Sequence, residues 1–274
     1  MSGLSRLERI HLAHSRQIER SLAVLGDHQG ITQATLLRWM ANFADCDLDL
    51  AAKILHHVKY YSSANIWSMA RNLADIVRME FDSLSIEWNK VIFVPIGGPY
   101  SGSATIARVL RETGRVAQTN IKYMIEVDRI PAAHIGGLVL LDDFSGTGST
   151  LDGWWRNVAE PIVLPKEAPY AVGLLIVNSR ARQVIQSFVD RVYCVEELDE
   201  VENVLSQNSS RFTAEEKTSI RQYCRKTGCP PEYLTGWRDC GLLLAFKHGC
   251  PDNSLPILWG DWDDWEPLFK RRAV

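Results

Sequence analysis

A stretch near the middle of the chain combines a strand, two acids and a loop of small residues, and it constrains the fold more than any other. Residues 137–141 read Gly-Leu-Val-Leu-Leu, an apolar run typical of a strand covered on both faces of a parallel sheet. Asp142 and Asp143 follow, and residues 145–150 then supply glycines and hydroxyls before a predicted helix. This order predicts an α/β fold with the acids at the carboxyl end of the strand, where ligands bind in such sheets.

The same stretch offers the groups that a phosphorylated sugar requires. Carboxylates accept hydrogen bonds only, so Asp142 and Asp143 suit the two neighbouring hydroxyls of a ribose. Backbone N–H groups and hydroxyls at a helix N-terminus attract a phosphate. The loop residues that supply them are Ser145, Gly146, Thr147, Gly148, Ser149 and Thr150. These residues predict a site for a ribose 5-phosphate.

Residues 137–150 resemble the phosphoribosyl-pyrophosphate (PRPP) motif of type I phosphoribosyltransferases, in which apolar residues precede two acids and a Thr/Gly/Ser loop. The resemblance implies that Asp142 and Asp143 hold the ribose hydroxyls, that the loop binds the 5′-phosphate, and that Mg²⁺ is bound with PRPP. Two rival motifs fail. Residues 146–151 lack the third glycine of a dinucleotide fingerprint, and residues 97–103 lack the lysine of a P-loop.

From Lys90 onwards, strands alternate with helices, which predicts a doubly wound parallel sheet flanked by helices, in the order of a type I phosphoribosyltransferase core. The predicted strands lie at 91–96, 119–127, 138–143, 171–178 and 191–195, and one helix is predicted at about 149–160.

The turn after the first of these strands occupies the place of the family's pyrophosphate loop. Its predicted residues are Gly97, Gly98, Pro99, Tyr100 and Ser101. Glycine permits a close approach of the backbone to a charged group and unusual φ values. The alternative is a plain turn in which Ser101 or Ser103 caps the next helix.

The segment between the second and third strands departs from the family. Type I enzymes usually carry a long mobile loop with basic residues there. The segment 126–134 is short, and Arg129 is its one permanently charged basic residue. A missing lid would expose the reaction to water, so the sequence leaves efficient transfer open.

Residues 1–85 are predicted to form a helical unit without strands, with caps at Thr32, Asp47 and Ser62 or Ser63. Short helices in this order are compatible with a helix-turn-helix or winged-helix-like unit. A DNA-binding helix normally shows a basic face, whereas the charge here is nearly balanced. Direct DNA binding is therefore not expected, and packing or partner binding is favoured.

A second dense pattern lies near the C-terminus. Residues 241–259 and 265–272 resemble the ending of a bacterial group of phosphoribosyltransferase-like proteins, called conflict effectors, found beside retrons and other antiphage systems. The likeness reaches upstream to Trp39, so it covers nearly the whole chain. Asp252 stands where that ending has an asparagine.

Within this pattern we select three residues by their chemistry. His248 can carry a proton near neutral pH, Asn253 can recognise a donor or an acceptor, and Trp259 can stack on a base. The alternative is a histidine in a proline-rich turn with Trp259 in the core. We expect residues 201–274 to form a hood that completes the phosphoribosyltransferase-like core at 86–200.

Composition excludes several classes of protein. A net charge of −3 argues against a dominant polyanion-binding surface. The start of the chain is too charged for a signal peptide and the apolar runs are too short for a membrane span, so we expect a cytoplasmic protein. The late cluster of cysteines with His248 matches no C-x-x-C spacing, so no metal site is predicted there, although structural zinc remains an alternative.

The residues and the resemblance together predict a PRPP-binding, phosphoribosyltransferase-like effector of bacterial antiphage defence. Its partner would be a protein or a ribonucleoprotein such as a reverse transcriptase complex. The alternative is a non-enzymatic regulator that senses PRPP or a nucleotide through this domain and carries an N-terminal nucleic-acid-binding unit, as purine repressors do.

Overall fold

The segment Ala64–Asp199 forms one unit by itself, and the described residues on either side of it form a second unit together. We call these the sheet unit and the split unit. The computed structural model describes residues 4–98, 101–160 and 168–270. In chain order its elements are α1 (Arg6–Leu25), α2 (Gln33–Met40), α3 (Leu48–His57), β1 (Lys59–Tyr61), α4 (Ser63–Ser83), β2 (Val91–Pro95), α5 (Gly102–Glu112), α6 (Met124–Val127), β3 (Gly137–Ser145), α7 (Ser149–Trp154), β4 (Tyr170–Asn178), α8 (Ser179–Ile185), β5 (Arg191–Leu198), α9 (Ala214–Lys226) and β6 (Leu244–Phe246).

The sheet unit is built on four parallel strands in the order β2-β3-β4-β5. Side chains alternate between the two faces of a strand. On one face Leu138 and Leu140 pack in a buried cluster with residues of α6, α7 and α8. On the other face Val139 and Leu73 of α4 both lie close to Gly173. Helices therefore cover both faces, and the predicted parallel α/β architecture is confirmed.

Helix α4 belongs to the sheet unit because its apolar stripe covers the sheet. Leu73 and Phe81 are both buried. The ring of Phe81 occupies the space that a side chain at Gly137 would need, and it meets Tyr193 of β5 edge to face at 6.4 Å. This division differs from the predicted boundary at 85, which placed the helix with the N-terminal residues.

The predicted strand at 119–127 is wrong. A 3₁₀ turn occupies Gln118–Asn120, Ile121 alone forms a parallel bridge to Phe93 of β2, and α6 follows. Asn120 fixes the turn, because its buried Nδ2 donates to the carbonyl oxygens of Asn89 (2.7 Å) and Val91 (2.9 Å).

This short pairing still sets the topology. From β2 the chain moves outward to Ile121 on one side and then returns to β3 on the other. The carboxyl ends of two strands at such a reversal frame a crevice in which α/β proteins bind ligands.

The split unit buries residues from both ends of the chain in one core. The indole Nε1 of Trp39, in α2, donates to the carbonyl oxygen of Ile257 at 2.6 Å. The hydroxyl of Tyr223, in α9, donates to Asp47 Oδ2 at 2.6 Å. Thr32 caps α2 as predicted, accepting from the N–H of Thr35 at 3.2 Å.

Residues 1–85 were expected to lack strands, and β1 corrects this. Lys59 pairs in parallel with Leu244, and Tyr61 with Phe246. Three residues are too few to show a strand period, and their partner lies far along the chain. The parallel pairing also differs from the antiparallel hairpin of a wing. None of the described helices has the length and apolar character of a membrane-spanning helix.

Candidate functional site

The two acids of the sheet unit lie in the last part of β3, where Asp142 pairs with Leu174 of β4. The carboxyl group of Asp143 rests on Gly102, the first residue of α5, and a Cβ at that position would overlap it. Glycine permits this approach. The start of a helix carries partial positive charge, so the contact places Asp143 where a carboxylate is favoured.

Asp142 has different surroundings. Its Oδ1 accepts the N–H of Asp143 at 3.1 Å. Burial raises the pKa of the Asp142 carboxyl well above its ordinary value, and the neighbouring charge of Asp143 raises it further. No lysine or arginine within the described parts of the chain forms an ion pair with Asp142. Asp142 therefore favours a proton, a cation or a hydroxyl donor at its carboxyl group.

The predicted phosphate loop turns tightly between β3 and α7. Gly148 has a φ of +77°, a left-handed conformation that favours glycine, and a Cβ there would lie 2.9 Å from Val184 of α8. The hydroxyls of Thr147 and Ser149 lie 2.9 Å apart. Ser145, Gly146 and Gly148 are buried, Thr147 and Ser149 are partly buried, and Thr150 is exposed. The predicted helix that follows continues to Ala159, with its second half a π-helix.

The loop after β2 is held by serines. Gly97 has a φ of +87°, so the turn needs glycine there. Ser101 is the N-cap of α5, and its Oγ donates to the carbonyl oxygen of Gly98 at 2.6 Å. Ser103, fully buried, donates from its Oγ to the carbonyl oxygen of Ile96. The turn at Gly97 and the helix cap by Ser101 thus occur together. Pro99 and Tyr100 of the predicted loop lie outside the described residues.

These two loops meet at one edge of the sheet. They follow neighbouring parallel strands, with Pro95 opposite Leu141, and the contact of Asp143 with Gly102 joins them. The sequence placed Gly102 in the turn but gave it no role of its own. Its position between a glycine turn and a helix is the signal that could have found it.

The segment from Lys122 to β3 is short and folded. Glu126 Oε2 accepts the N–H of Tyr123 at 2.8 Å and so starts α6. A 3₁₀ turn at Ala132–His134 follows, and Gly136 then donates its N–H to the carbonyl oxygen of Lys90 at 2.9 Å. The sequence predicted a short segment here in place of the family's long mobile loop. The structure agrees, because short turns fill the segment between Lys122 and β3.

The three residues predicted near the C-terminus lie in the split unit and differ in exposure. His248 is exposed and stacks on Phe246, with ring centroids 5.2 Å apart. Trp259 is 2% exposed, and its Nε1 donates to the carbonyl oxygen of Ser254 at 2.9 Å. Asn253 is buried, and its Nδ2 reaches the Sγ of Cys240 at 3.3 Å.

For two of the three residues, these placements favour the alternative of a side chain in the core or in a turn. Trp259 offers no ring face to a base, because it fills the core of the split unit. Asn253 uses its amide to hold a turn of its own segment. His248 alone of the three keeps an accessible ring.

The late cysteines are buried side chains. Burial raises the pKa of the Cys224 thiol, the largest effect on that group, and the Cys229 thiol is shifted upward by burial as well. A neutral thiol is a poor metal ligand. Across residues 4–98, 101–160 and 168–270, no three His, Cys, Asp or Glu side chains are arranged to hold a metal ion.

Three solved phosphoribosyltransferases are structurally similar to the chain at low identity. Hypoxanthine-guanine phosphoribosyltransferase (HGPRT) from Leishmania tarentolae, in complex with GMP, is 14% identical, with a TM-score of 0.34 over 51% of this chain and 81% of that chain. Purine phosphoribosyltransferase from Pyrococcus horikoshii is 19% identical, with a TM-score of 0.30 over 52% and 91%. A mutant hypoxanthine phosphoribosyltransferase from Trypanosoma cruzi, complexed with the product IMP, is 14% identical, with a TM-score of 0.32 over 52% and 77%.

No curated protein sequence matches the chain. The family profile of PRTase-CE matches residues 36–271, which include both loops of the sheet unit and the C-terminal pattern of the split unit. The match covers far more than half of the 274 residues. The chain belongs to the PRTase-CE family.

Proposed function

We propose that the protein binds PRPP at the carboxyl ends of β2 and β3 and transfers or processes its ribose 5-phosphate group. The observation that carries this proposal is the contact of Asp143 with Gly102, which brings the acid pair against the glycine loop after β2. Membership of a phosphoribosyltransferase-like family supports the same chemistry.

Each part of the site has a role in this proposal. Asp142 and Asp143 accept hydrogen bonds from the two ribose hydroxyls. Residues 145–150 bind the 5′-phosphate through N–H groups and hydroxyls at the start of α7. The loop at 97–101 faces the pyrophosphate, where the left-handed Gly97 lets the backbone come close. Fixing both ends of the ligand orients the anomeric carbon between them.

The acid pair also fits Mg²⁺. Carboxylate oxygens are the ligands that Mg²⁺ prefers, and the raised pKa of Asp142 reflects a buried negative charge without a basic partner among the described residues. Asp142 and Asp143 would hold the ion together with PRPP. When bound, it supplies positive charge that stabilises the departing pyrophosphate.

Calorimetry with PRPP and Mg²⁺ tests the binding site. Charge-assisted hydrogen bonds contribute roughly 1.5–3 kcal/mol each, so Asp143→Asn should weaken binding about 10- to 100-fold. Asp128→Asn, at an exposed position outside both loops, is the matched control and should bind as the wild type does. Unchanged affinity in the Asp142→Asn/Asp143→Asn double variant would sink the proposal.

We further propose that the protein is an effector of bacterial antiphage defence, and that the pattern at 241–259 serves the acceptor through His248. The family resemblance and the exposure of His248 support this. His248→Ala should abolish growth inhibition by the expressed protein and leave PRPP binding intact. Asn253→Ala should instead lower the melting temperature, because it removes buried hydrogen bonds. Full growth inhibition by His248→Ala would place acceptor recognition elsewhere.

The activating partner belongs to the same proposal. We expect a protein or ribonucleoprotein, such as a reverse transcriptase complex, that holds the effector inactive. A reverse transcriptase gene beside this one, whose product co-purifies with the protein, would support the partner. A purine operon in that position would support a repressor instead.

The short segment at 122–136 favours a second candidate, a non-enzymatic sensor of PRPP or a nucleotide. A closing lid excludes water from reactive intermediates, and the folded turns described above take the place of a long loop. Release of pyrophosphate from PRPP discriminates the two candidates. Binding without release, in the presence of partner and acceptor extracts, would favour the sensor.

A further inference from the structure

A cleft of about 560 Å³ lies in the sheet unit, apart from the site described above. The cleft is lined by residues of α5 on one side and of the segment 118–126 on the other, and by Pro95 at the end of β2. The cleft and the proposed PRPP site share the first turn of α5. Gly102 meets Asp143, whereas Ala104 lines the cleft.

Three cations line the cleft. Arg108 and Arg111 are three residues apart on α5 and therefore share one face of the helix. Their nearest carboxylate, Glu112, lies 3.9 Å from each, beyond hydrogen-bond distance. Arg111 Nη1 donates to Gln118 Oε1 at 3.1 Å, which holds the guanidinium at the cleft.

Lys122 supplies the third cation from the opposite wall. Its backbone N–H donates to the carbonyl oxygen of Phe93 at 3.0 Å, which fixes the residue at the sheet edge. Its half-buried side chain has no hydrogen bond or ion pair to any residue that the structure describes. An ammonium group in this position is available to an anionic ligand.

Two carboxylates lie in or beside the cleft. Glu126 is the carboxylate among the described lining residues, and it already accepts the N–H of Tyr123 at the start of α6. Glu112 lies beside both arginines, so Arg108, Arg111 and Lys122 outnumber these two carboxylates by one in a chain whose net charge is −3. A local excess of cations in a concave surface attracts phosphate groups.

The lining also contains apolar and aromatic side chains. Ala107 lines the α5 wall and Ile121 the opposite wall, and Tyr123 is 45% exposed. A tyrosine ring offers a face on which any nucleobase can stack. The volume also falls in the range of roughly 300–1,000 Å³ typical of small-molecule sites.

We propose that this cleft is a second ligand site, which binds a nucleotide with its phosphate on Arg108, Arg111 and Lys122 and its base on Tyr123. The nucleotide is either free or the end of a nucleic-acid strand, since both present the same phosphate and base. The site stands independently of the PRPP site, because none of its cations belongs to the two loops that frame Asp143.

Calorimetry at low salt tests this in the Asp142→Asn/Asp143→Asn background, which removes binding at the PRPP site. The ligands are AMP, pyrophosphate and a single-stranded RNA tetramer with a 5′-phosphate. We expect AMP or the tetramer to bind, and pyrophosphate to bind more weakly because it lacks a base. Tighter binding of AMP would indicate that the ligand is a free nucleotide. Tighter binding of the tetramer would indicate that it is the end of a nucleic-acid strand.

The variants identify the cleft. Arg108→Gln/Lys122→Gln should weaken binding about 10- to 100-fold, since it removes two charge-assisted contacts. Tyr123→Ala should weaken the binding of AMP and leave the binding of pyrophosphate unchanged, because only AMP has a base to stack on the ring. Arg115→Gln is the matched control, because Arg115 pairs with Asp75 at 2.9 Å outside the cleft and should have no effect. Equal affinity for AMP and pyrophosphate, no binding at millimolar concentrations, or unchanged binding in the double variant with a native melting curve would each overturn the proposal.

Discussion

Two carboxyl groups that are adjacent in sequence meet different surroundings at the end of β3. Asp143 lies against the start of α5, at Gly102, whereas Asp142 is held beside its neighbour with no basic partner among the described residues. The two acids and the loop were predictable, because their residue types and order carry the chemistry. The contact with Gly102 was not, because it depends on how α5 packs against β3.

The raised pKa of Asp142 makes the stability of the ligand-free protein depend on pH. Between the ordinary pKa of an aspartate and the raised one, the folded state binds more protons than the unfolded state. The contribution of Asp142 to the free energy of unfolding is therefore present in acid and lost as the pH rises, by up to about 1.4 kcal/mol per pH unit.

Asn imitates the protonated carboxyl and does not titrate. We therefore expect Asp142→Asn to melt at a higher temperature than the wild type at alkaline pH, with the difference shrinking towards acid. Melting curves of the two proteins without Mg²⁺, across pH 4–9, measure this, and Asp128→Asn serves as the control. A difference that does not change with pH would contradict the assignment.

A substitution at Gly102 should change PRPP affinity without a large change in the free energy of unfolding. An alanine there must displace the carboxyl of Asp143, which is the movable end of a side chain, so the fold should survive. In the proposed site the displaced carboxyl would no longer reach the ribose. We therefore expect Gly102→Ala to weaken PRPP binding at least about tenfold while shifting the free energy of unfolding by less than about 1 kcal/mol. Gly153→Ala, in α7 with no atom near the added Cβ, is the control and should bind normally. Native affinity in Gly102→Ala would show that Asp143 does not hold the ligand.

At the scale of elements, long apolar runs were predicted well and short pairings were not. The apolar runs that became β2, β3 and β4 are buried on both faces of the sheet, and their composition of apolar residues indicates that environment. The segment at 119–127 has strand-like residues, but the buried amide of Asn120 and the cap from Glu126 turn the chain instead. A three-residue strand such as β1 carries no period from which it could be predicted.

Helix α2 is joined to the C-terminal segment through a buried tryptophan. Trp39 is fully buried and donates to the carbonyl oxygen of Ile257, so it ties the N-terminal helices to the C-terminal segment. Trp39→Phe loses this hydrogen bond and leaves a small cavity, and we expect it to cost roughly 1–3 kcal/mol of unfolding free energy. Trp67→Phe, at an exposed position on α4, should cost less than about 0.5 kcal/mol. Equal denaturant midpoints for the two variants would argue that the two ends do not share a core.

At the scale of the whole molecule, the two units were not predictable from residue patterns. The split unit joins segments that lie on either side of the complete sheet unit, and no local signal in the sequence reports which distant segments share a core. Ile54 and Leu258 belong to one buried cluster, and no local pattern in the sequence indicates that they share it. The predicted division at 85 followed the change from helices to strands, which is a change of element and not of unit.

The sheet unit contains every residue of the proposed PRPP site. Both loops of the proposed PRPP site and the acid pair lie in the continuous segment 64–199, which has its own sheet and helices on both faces. We expect this segment, expressed alone, to unfold cooperatively and to bind PRPP with Mg²⁺ within about tenfold of the full chain, while losing any activity that depends on His248. Circular dichroism melting establishes that the segment is folded, and calorimetry then measures its affinity. The Asp142→Asn/Asp143→Asn variant of the segment is the control and should not bind. A folded segment without affinity for PRPP would mean that the split unit contributes groups to the sugar or the phosphates, and the binding site would have to be extended beyond these loops.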